Sequence, residues 1–150
     1  MPHSYTSILV HVVFATKDRH PFLDSTLEER LFPYLGGTVR DLDGTLLSVN
    51  GADDHLHLLI WMSATQSIAE LVGKIKGCSS KWIHETFPDR ANFAWQRGYG
   101  AFTVSMSQKE KVIAYINGQK AHHAKVSYRD EFLRLLRAHG IAGDEQLLWK

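Results

Sequence analysis

The chain carries a single cysteine, Cys78, in 150 residues. That excludes an internal disulfide and any cysteine-rich zinc site, and it fits a reducing compartment. Long apolar runs are also missing. No stretch approaches the roughly 18 uninterrupted apolar residues that span a bilayer, so no membrane role is expected. The segment "ILVHVVFA" is broken by His11, follows no lysine or arginine and lacks a small-residue cleavage site. It does not read as a signal peptide, and a cytoplasmic protein is expected. Charge of one sign is not in excess: the formal net charge is +1, so composition alone supplies no electrostatic reason to expect nucleic acid. Repeats, low-complexity segments and linkers rich in proline, glycine or serine are absent as well. These absences leave one globular domain, expected over residues 1–150. Histidine is the exception, with nine copies that fall partly in close pairs, His55 with His57 and His122 with His123.

Hydrophobic patterning predicts alternating strands and helices. "SYTSILVHVVFAT" suits a buried first strand, ended by the polar "KDRHP". Asp24 or Ser25 can cap a helix through "TLEERLFPYLGGTVRDL", which Pro33 and the Gly36-Gly37 pair are expected to kink or shorten. "DLDGT" is a turn leading to the strand "LLSVNGA", with "HLHLLIWM" as its partner. Ser67 or Thr65 then caps "IAELVGKIKGCSSKWIHETF", where Leu71, Ile75, Cys78 and Trp82 predict one buried face. "YGAFTVSM" reads as a fourth strand. Ser107 and Glu110 form a capping-box pattern ahead of a helix from Gln108 to about Lys125, and a last amphipathic helix runs from Ser127 to Gly140. The order β-α-β-β-α-β followed by helices predicts an α+β fold. It is a ferredoxin-like, split βαβ antiparallel sheet with helices on one face plus C-terminal helices.

Two segments carry chemistry. Along a strand, residues i and i+2 point the same way with Cα atoms about 6.5–7 Å apart, so His55 and His57 face together. Two imidazoles on a rigid strand can chelate one divalent ion. The same pattern is met by two half-exposed histidines near a strand end. A chelating pair needs further ligands, and "AYINGQKAHH" offers them. On one helix Tyr115, Gln119 and His122 fall within about 60° of one another, so an amide oxygen, an imidazole and a phenol share a face. Tyr115 can equally be the rim of the buried stripe beside Val112 and Ile116.

Taken in order, "HLHLLIWM" and "AYINGQKAHH" resemble the transposases of the insertion sequence 200/605 family. These belong to the His-hydrophobic-His (HUH) superfamily of nucleases and use a single tyrosine. The resemblance extends to "SYTSILVHVVFATKDR", "KIKGCSSKWI", "WQRGYGAFTVS" and "HHAKVSYRDEFLRLLRAHGI", nearly the whole chain. It implies an HUH endonuclease fold, His55, His57 and Gln119 as ligands of Mg²⁺ or Mn²⁺, and Tyr115 as nucleophile. It further implies a homodimer, in which the tyrosine helix of one subunit can serve the histidine pair of the other, and a substrate of single-stranded DNA cut beside hairpins through a 5′-phosphotyrosine. Gly118 inside the tyrosine helix departs from good helix-forming sequence and is expected to loosen it. Lys74, Lys76, Lys81 and Arg97, with Trp95, are candidate nucleic-acid contacts, because single strands can be held by aromatic stacking and few cations. Three other readings stay open. One is a relative acting on chromosomal repeat hairpins, another a non-catalytic single-strand-binding module, and the last a zinc hydrolase using His55, His57 and His122 or His123.

Overall fold

The computed structural model describes residues 4–143. Four strands, β1 (Leu9–Ala15), β2 (Thr45–Gly51), β3 (His55–Trp61) and β4 (Gly100–Val104), form one sheet in the order β2-β3-β1-β4 with every neighbouring pair antiparallel. This is the split βαβ order that the pattern of elements predicts. The first strand is shorter than expected, since residues 4–8 are exposed and only Leu9 to Ala15 are sheltered on both faces.

Both faces of the sheet are covered. Val10, Val12 and Phe14 of β1 and Leu56, Leu58 and Ile60 of β3 pack under α1 (Ser25–Asp41) and α2 (Ile68–Thr86). The alternate residues face the C-terminal helices α3 (Lys109–Asn117), α4 (Gln119–His123) and α5 (Tyr128–Ala138). Leu9 and Leu59 meet Ile116, while Val13, Ala15 and Phe102 meet Tyr128, Phe132 and Leu136. His11, His55 and His57 share the parity of this second set, so their side chains lie between sheet and C-terminal helices.

Helix α1 begins at Asp24, whose carboxylate accepts from the Leu27 amide at 2.9 Å. Contrary to expectation it runs unbroken through Pro33 and Gly36-Gly37. Pro33 and Glu29 are exposed, so the carbonyl that loses its partner there faces water, while Leu27, Leu31, Leu35 and Val39, at steps of four, are fully buried. Helix α2 is capped by Ser67. Its buried stripe is Leu71, Val72, Ile75, Ser79 and Ile83, one residue round from the expected one. Cys78 is exposed, and Trp82 is half-buried against Tyr34, with ring centroids 4.6 Å apart.

The tyrosine helix is two helices. It breaks at Gly118 (φ −89°, ψ 8°), which closes α3 and opens α4. The Ser107–Glu110 capping box does not form, because Ser107 lies within a short 3₁₀ turn and its hydroxyl pairs with that of Ser105. Ser127 caps α5 by accepting from the Asp130 amide, and Gly140 beyond its end takes a left-handed φ of 68°.

Candidate active site

His55 and His57 are fully buried on β3, which is central in the sheet. Each has its outer ring nitrogen engaged. His55 Nδ1 lies 2.7 Å from Asp54 Oδ1, and His57 Nδ1 lies 2.8 Å from His11 Nε2. Val13 is the cross-strand partner of His57, which sets His11 on the same face one step along β1. With the outer nitrogens held, both Nε2 atoms aim inward at one point.

The group at that point is Glu131 of α5, which is 1% exposed. Its Oε1 sits 2.7 Å from His57 Nε2, 2.9 Å from His123 Nε2 and 3.4 Å from His55 Nε2. Its Oε2 accepts from the Tyr115 hydroxyl and, at 2.9 Å, from Gln119 Nε2. The Gln119 amide oxygen lies 3.3 Å from His55 Nε2. Tyr115, Gln119, His55 and His57 are therefore brought together, with His123 and Glu131 among them. His122 Nε2 lies 3.2 Å from Glu131 Oε2 without hydrogen-bond geometry, leaving a buried ring nitrogen without a partner at the edge of the cluster.

The electrostatics follow from burial and from this carboxylate. Burial disfavours the charged forms of His57 and His11 and holds them near 4 and 3, with Glu131 pulling each part of the way back. Burial also opposes protonation of His55, but its hydrogen bonds to Asp54 and Glu131 outweigh that and raise it. Burial would raise Glu131, yet the hydrogen bonds from His123, His55 and His57 hold it far below the usual carboxylate range. The Tyr115 phenol is pushed well above 10, first by burial and then by Glu131.

Donor chemistry fits a divalent ion here. One ligand atom each from His55, His57, His123 and Glu131 falls within 4.8 Å of the others, and metal-binding histidines commonly have their outer nitrogen held by a carboxylate or another acceptor. Beside Tyr115 opens a cavity of about 410 Å³, lined among others by His11, Phe102, Gln108, Lys111 and His139.

The helices that carry Tyr115 and Gln119 are fastened to this chain's own sheet. The Ser48 hydroxyl donates to Asn117 Oδ1 at 3.0 Å, and Asn50 Nδ2 donates to the Asn117 carbonyl at 3.1 Å. Lys120 Nζ on α4 donates to Glu28 at 2.9 Å, to Asn50 at 3.2 Å and to the Gly51 carbonyl at 3.1 Å.

The candidate nucleic-acid contacts are placed elsewhere. Lys74 and Lys81 are exposed on α2, across the sheet from Tyr115, and Lys81 lies 3.9 Å from Glu85. Lys76 is half-buried and committed: its ammonium donates to the Gln96 and Gly98 carbonyls at 2.7 and 2.6 Å, and burial lowers it to about 8. Trp95 is half-buried against the core, edge-on to Phe14 and Phe93, with its indole N–H on Ser79. Arg97 is exposed in the loop before β4.

The family model described as "Transposase IS200 like" matches residues 4–119, which hold the histidine pair, Tyr115 and Gln119. The chain belongs to this family. The transposase is 24% identical over 114 residues to the ISDra2 transposase TnpA of Deinococcus radiodurans, covering 73% of this chain and 81% of that one. It is 27% identical over 124 residues to the transposase for insertion sequence element IS200 of Salmonella typhimurium, covering 79% of this chain and 81% of that one. Among solved structures, a transposase from Deinococcus radiodurans superposes with a TM-score of 0.66 at 23% identity, over 79% of this chain and 95% of that chain. A REP-associated tyrosine transposase bound to a REP hairpin superposes with a TM-score of 0.62 at 16% identity, over 97% and 92%. The fold is thus shared with these two transposase structures. Among the described residues no helix is long and apolar enough to cross a membrane.

Two members of the cluster, His11 and Glu131, belong to neither of the sequence segments that point to a site. Glu131 had a signal: with Tyr128 and Leu135 it shares one face of an amphipathic helix, where a carboxylate without a buried partner is costly.

Proposed function

We propose that this transposase, acting as one domain, cuts and rejoins single-stranded DNA at hairpin-flanked element ends through a 5′-phosphotyrosine on Tyr115. The observation that carries this reading is the convergence of the Tyr115 hydroxyl, Gln119 and the two inward His Nε2 atoms on one buried point. Held at His55 and His57 with Gln119 alongside, Mg²⁺ or Mn²⁺ would supply the positive charge that offsets charge building on the non-bridging phosphate oxygens and would favour the phenolate.

The chain's own residues do the rest. Tyr115 is held as a phenol by burial and by Glu131, so it is kept from reacting until its proton is drawn away. Its oxygen then attacks the scissile phosphorus, the bond to O3′ breaks, and the released strand carries the proton away as a free 3′-OH. The phosphotyrosine conserves the energy of the broken bond. Attack by a different 3′-OH restores Tyr115 and joins new strands without an external energy source. The cavity beside Tyr115, with Phe102 and His139 stacked at 4.4 Å and Lys111 at its wall, suits the nucleotide next to the scissile phosphate. Exposed Lys74, Lys81 and Arg97 are proposed as contacts to the flanking hairpin, a role for which Lys76 has no free ammonium.

A homodimer in the cytoplasm belongs to this reading, each subunit holding a complete site. A second version, supported by a likeness to the hairpin-bound structure over 97% of this chain, keeps the chemistry but acts on chromosomal repeat hairpins. The test is incubation with Mn²⁺ or Mg²⁺ and 5′-labelled single strands from the DNA flanking the gene. Expected is a shortened product whose 3′-OH a polymerase extends, lost in Tyr115→Phe and in chelator. Binding without cleavage on every end leaves a non-catalytic single-strand-binding module instead.

A further inference from the structure

The two oxygens of Glu131 face different partners. Oε2 takes the Tyr115 hydroxyl and the Gln119 amide N–H, whereas Oε1 faces the Nε2 atoms of His55, His57 and His123 at 3.4, 2.7 and 2.9 Å. Three imidazole nitrogens gathered on one buried carboxylate oxygen are more than a hydrogen-bonding purpose requires. Ligands about 2.0–2.2 Å from a shared ion lie no more than about 4.4 Å apart. The observed limit of 4.8 Å therefore fits one coordination sphere after shifts of a few tenths of an ångström.

Gln119 is placed differently. Its amide nitrogen is spent on Glu131 Oε2, and it reaches His55 Nε2 only at 3.3 Å. That makes it the strut that orients the carboxylate. His123 and Glu131 both lie beyond the residues 4–119 that the family model matches, so half of this four-residue set comes from the C-terminal helices of this chain.

Resting on the metal-assisted reading above, we infer that His123 and Glu131 complete the metal centre of this transposase, making a three-imidazole, one-carboxylate site that selects a transition metal such as Mn²⁺ over Mg²⁺. Mg²⁺ prefers oxygen ligands and retained waters in a near-ideal octahedron, and it competes poorly for three nitrogens. First-row transition ions accept imidazole readily. The carboxylate adds a negative charge that a set of two histidines and one glutamine lacks. Gln119 acts as a positioning residue through Glu131.

Metal binding to the purified full chain tests this without DNA. Calorimetric titrations with Mn²⁺ and with Mg²⁺ are paired with electron paramagnetic resonance of the Mn²⁺ complex, in which nitrogen couplings count the imidazoles. Expected are three imidazoles, Mn²⁺ bound at least about tenfold more tightly than Mg²⁺, and a loss of about tenfold or more in Mn²⁺ affinity in Glu131→Gln. His123→Asn is expected to lose one nitrogen coupling, and it decides the matter if the Glu131 variant fails to fold in chelator. Gln119→Ala is expected to weaken Mn²⁺ binding without changing the nitrogen count. Unchanged Mn²⁺ affinity in both Glu131→Gln and His123→Asn, or equal affinities for Mn²⁺ and Mg²⁺, overturns the inference and leaves the proposed function standing. Failure of the wild-type chain to bind either ion overturns both.

Discussion

His11 is the residue whose replacement separates folding from metal binding. It is 4% exposed on β1, and its Nε2 lies 2.8 Å from Nδ1 of the fully buried His57. Without metal, His57 donates from Nε2 to Glu131, so its Nδ1 accepts from His11. With Nε2 given to a metal, the proton of His57 moves to Nδ1, which then needs an acceptor. A neutral His11 fills either role because each ring nitrogen can donate or accept according to tautomer. Burial holds His11 near 3, so it is neutral at working pH. His11→Leu removes the partner in both states, with unequal consequences. In chelator the stranded group is a buried lone pair on His57, which costs less than a stranded N–H and falls at the low end of about 1–3 kcal/mol; the buried leucine partly offsets it, so stability changes by about 1 kcal/mol or less. In the loaded protein a buried N–H is stranded, a cost of about 1–3 kcal/mol, or roughly a 10–100-fold loss of affinity. Urea unfolding in chelator and Mn²⁺ titration of the same variant read the two quantities separately. Unchanged metal affinity, or a loss of stability in chelator as large as the loss on binding, would show that His11 does not serve the metal-bound His57.

Three further outcomes follow from the same geometry. A Cβ on Gly51 would collide with the His55 carbonyl oxygen, a backbone atom, so Gly51→Ala is expected to cost about 1–3 kcal/mol in urea unfolding and to weaken metal binding by shifting His55. Because Tyr115 and His57 meet within one chain, a mixture of Tyr115→Phe and His57→Ala proteins is expected to form no covalent DNA adduct; recovery of a substantial fraction of wild-type adduct would show that the tyrosine helix crosses between subunits. In chelator, His11 and His57 stay neutral down to about 3 and 4. Below about 6.5 the unfolded chain therefore takes up two protons that the native chain refuses, and stability falls as pH falls. His55, shifted upward, adds stability that is present below 6.5 and lost as pH rises through its folded value. Denaturant titrations at pH 7 and pH 5 check this, and equal or greater stability at pH 5 contradicts it.

Strand alternation makes the inward pairing of His55 and His57 legible, and helical spacing places Tyr115 and Gln119 together even though the helix breaks at Gly118 between them. The caps at Asp24, Ser67 and Ser127 were legible as local patterns. The role of His11 was not, because it depends on the β1–β3 register that sets His11 beside Leu59 and one step from His57. The signal that Glu131 carries, a carboxylate on the apolar face of α5, is masked by its position in the first turn, where acidic residues are favoured in any helix by the dipole. Lys76 is a candidate nucleic-acid contact by sequence, and only the tertiary fold, which sets the Gln96 and Gly98 carbonyls on its ammonium, shows it committed within the chain. The unbroken α1 shows burial of a leucine stripe outweighing a proline on an exposed turn.

Covalent joining of Tyr115 to DNA is the step on which the proposed chemistry depends. The direct measurement is mass spectrometry of the protein after reaction with Mn²⁺ and a single strand spanning an end of its own element, followed by nuclease and protease digestion. The peptide containing Tyr115 is expected to gain a nucleotide linked through its 5′-phosphate, with nothing gained in Tyr115→Phe. Cleaved DNA with an unmodified Tyr115 peptide, or cleavage that persists in Tyr115→Phe, would contradict it.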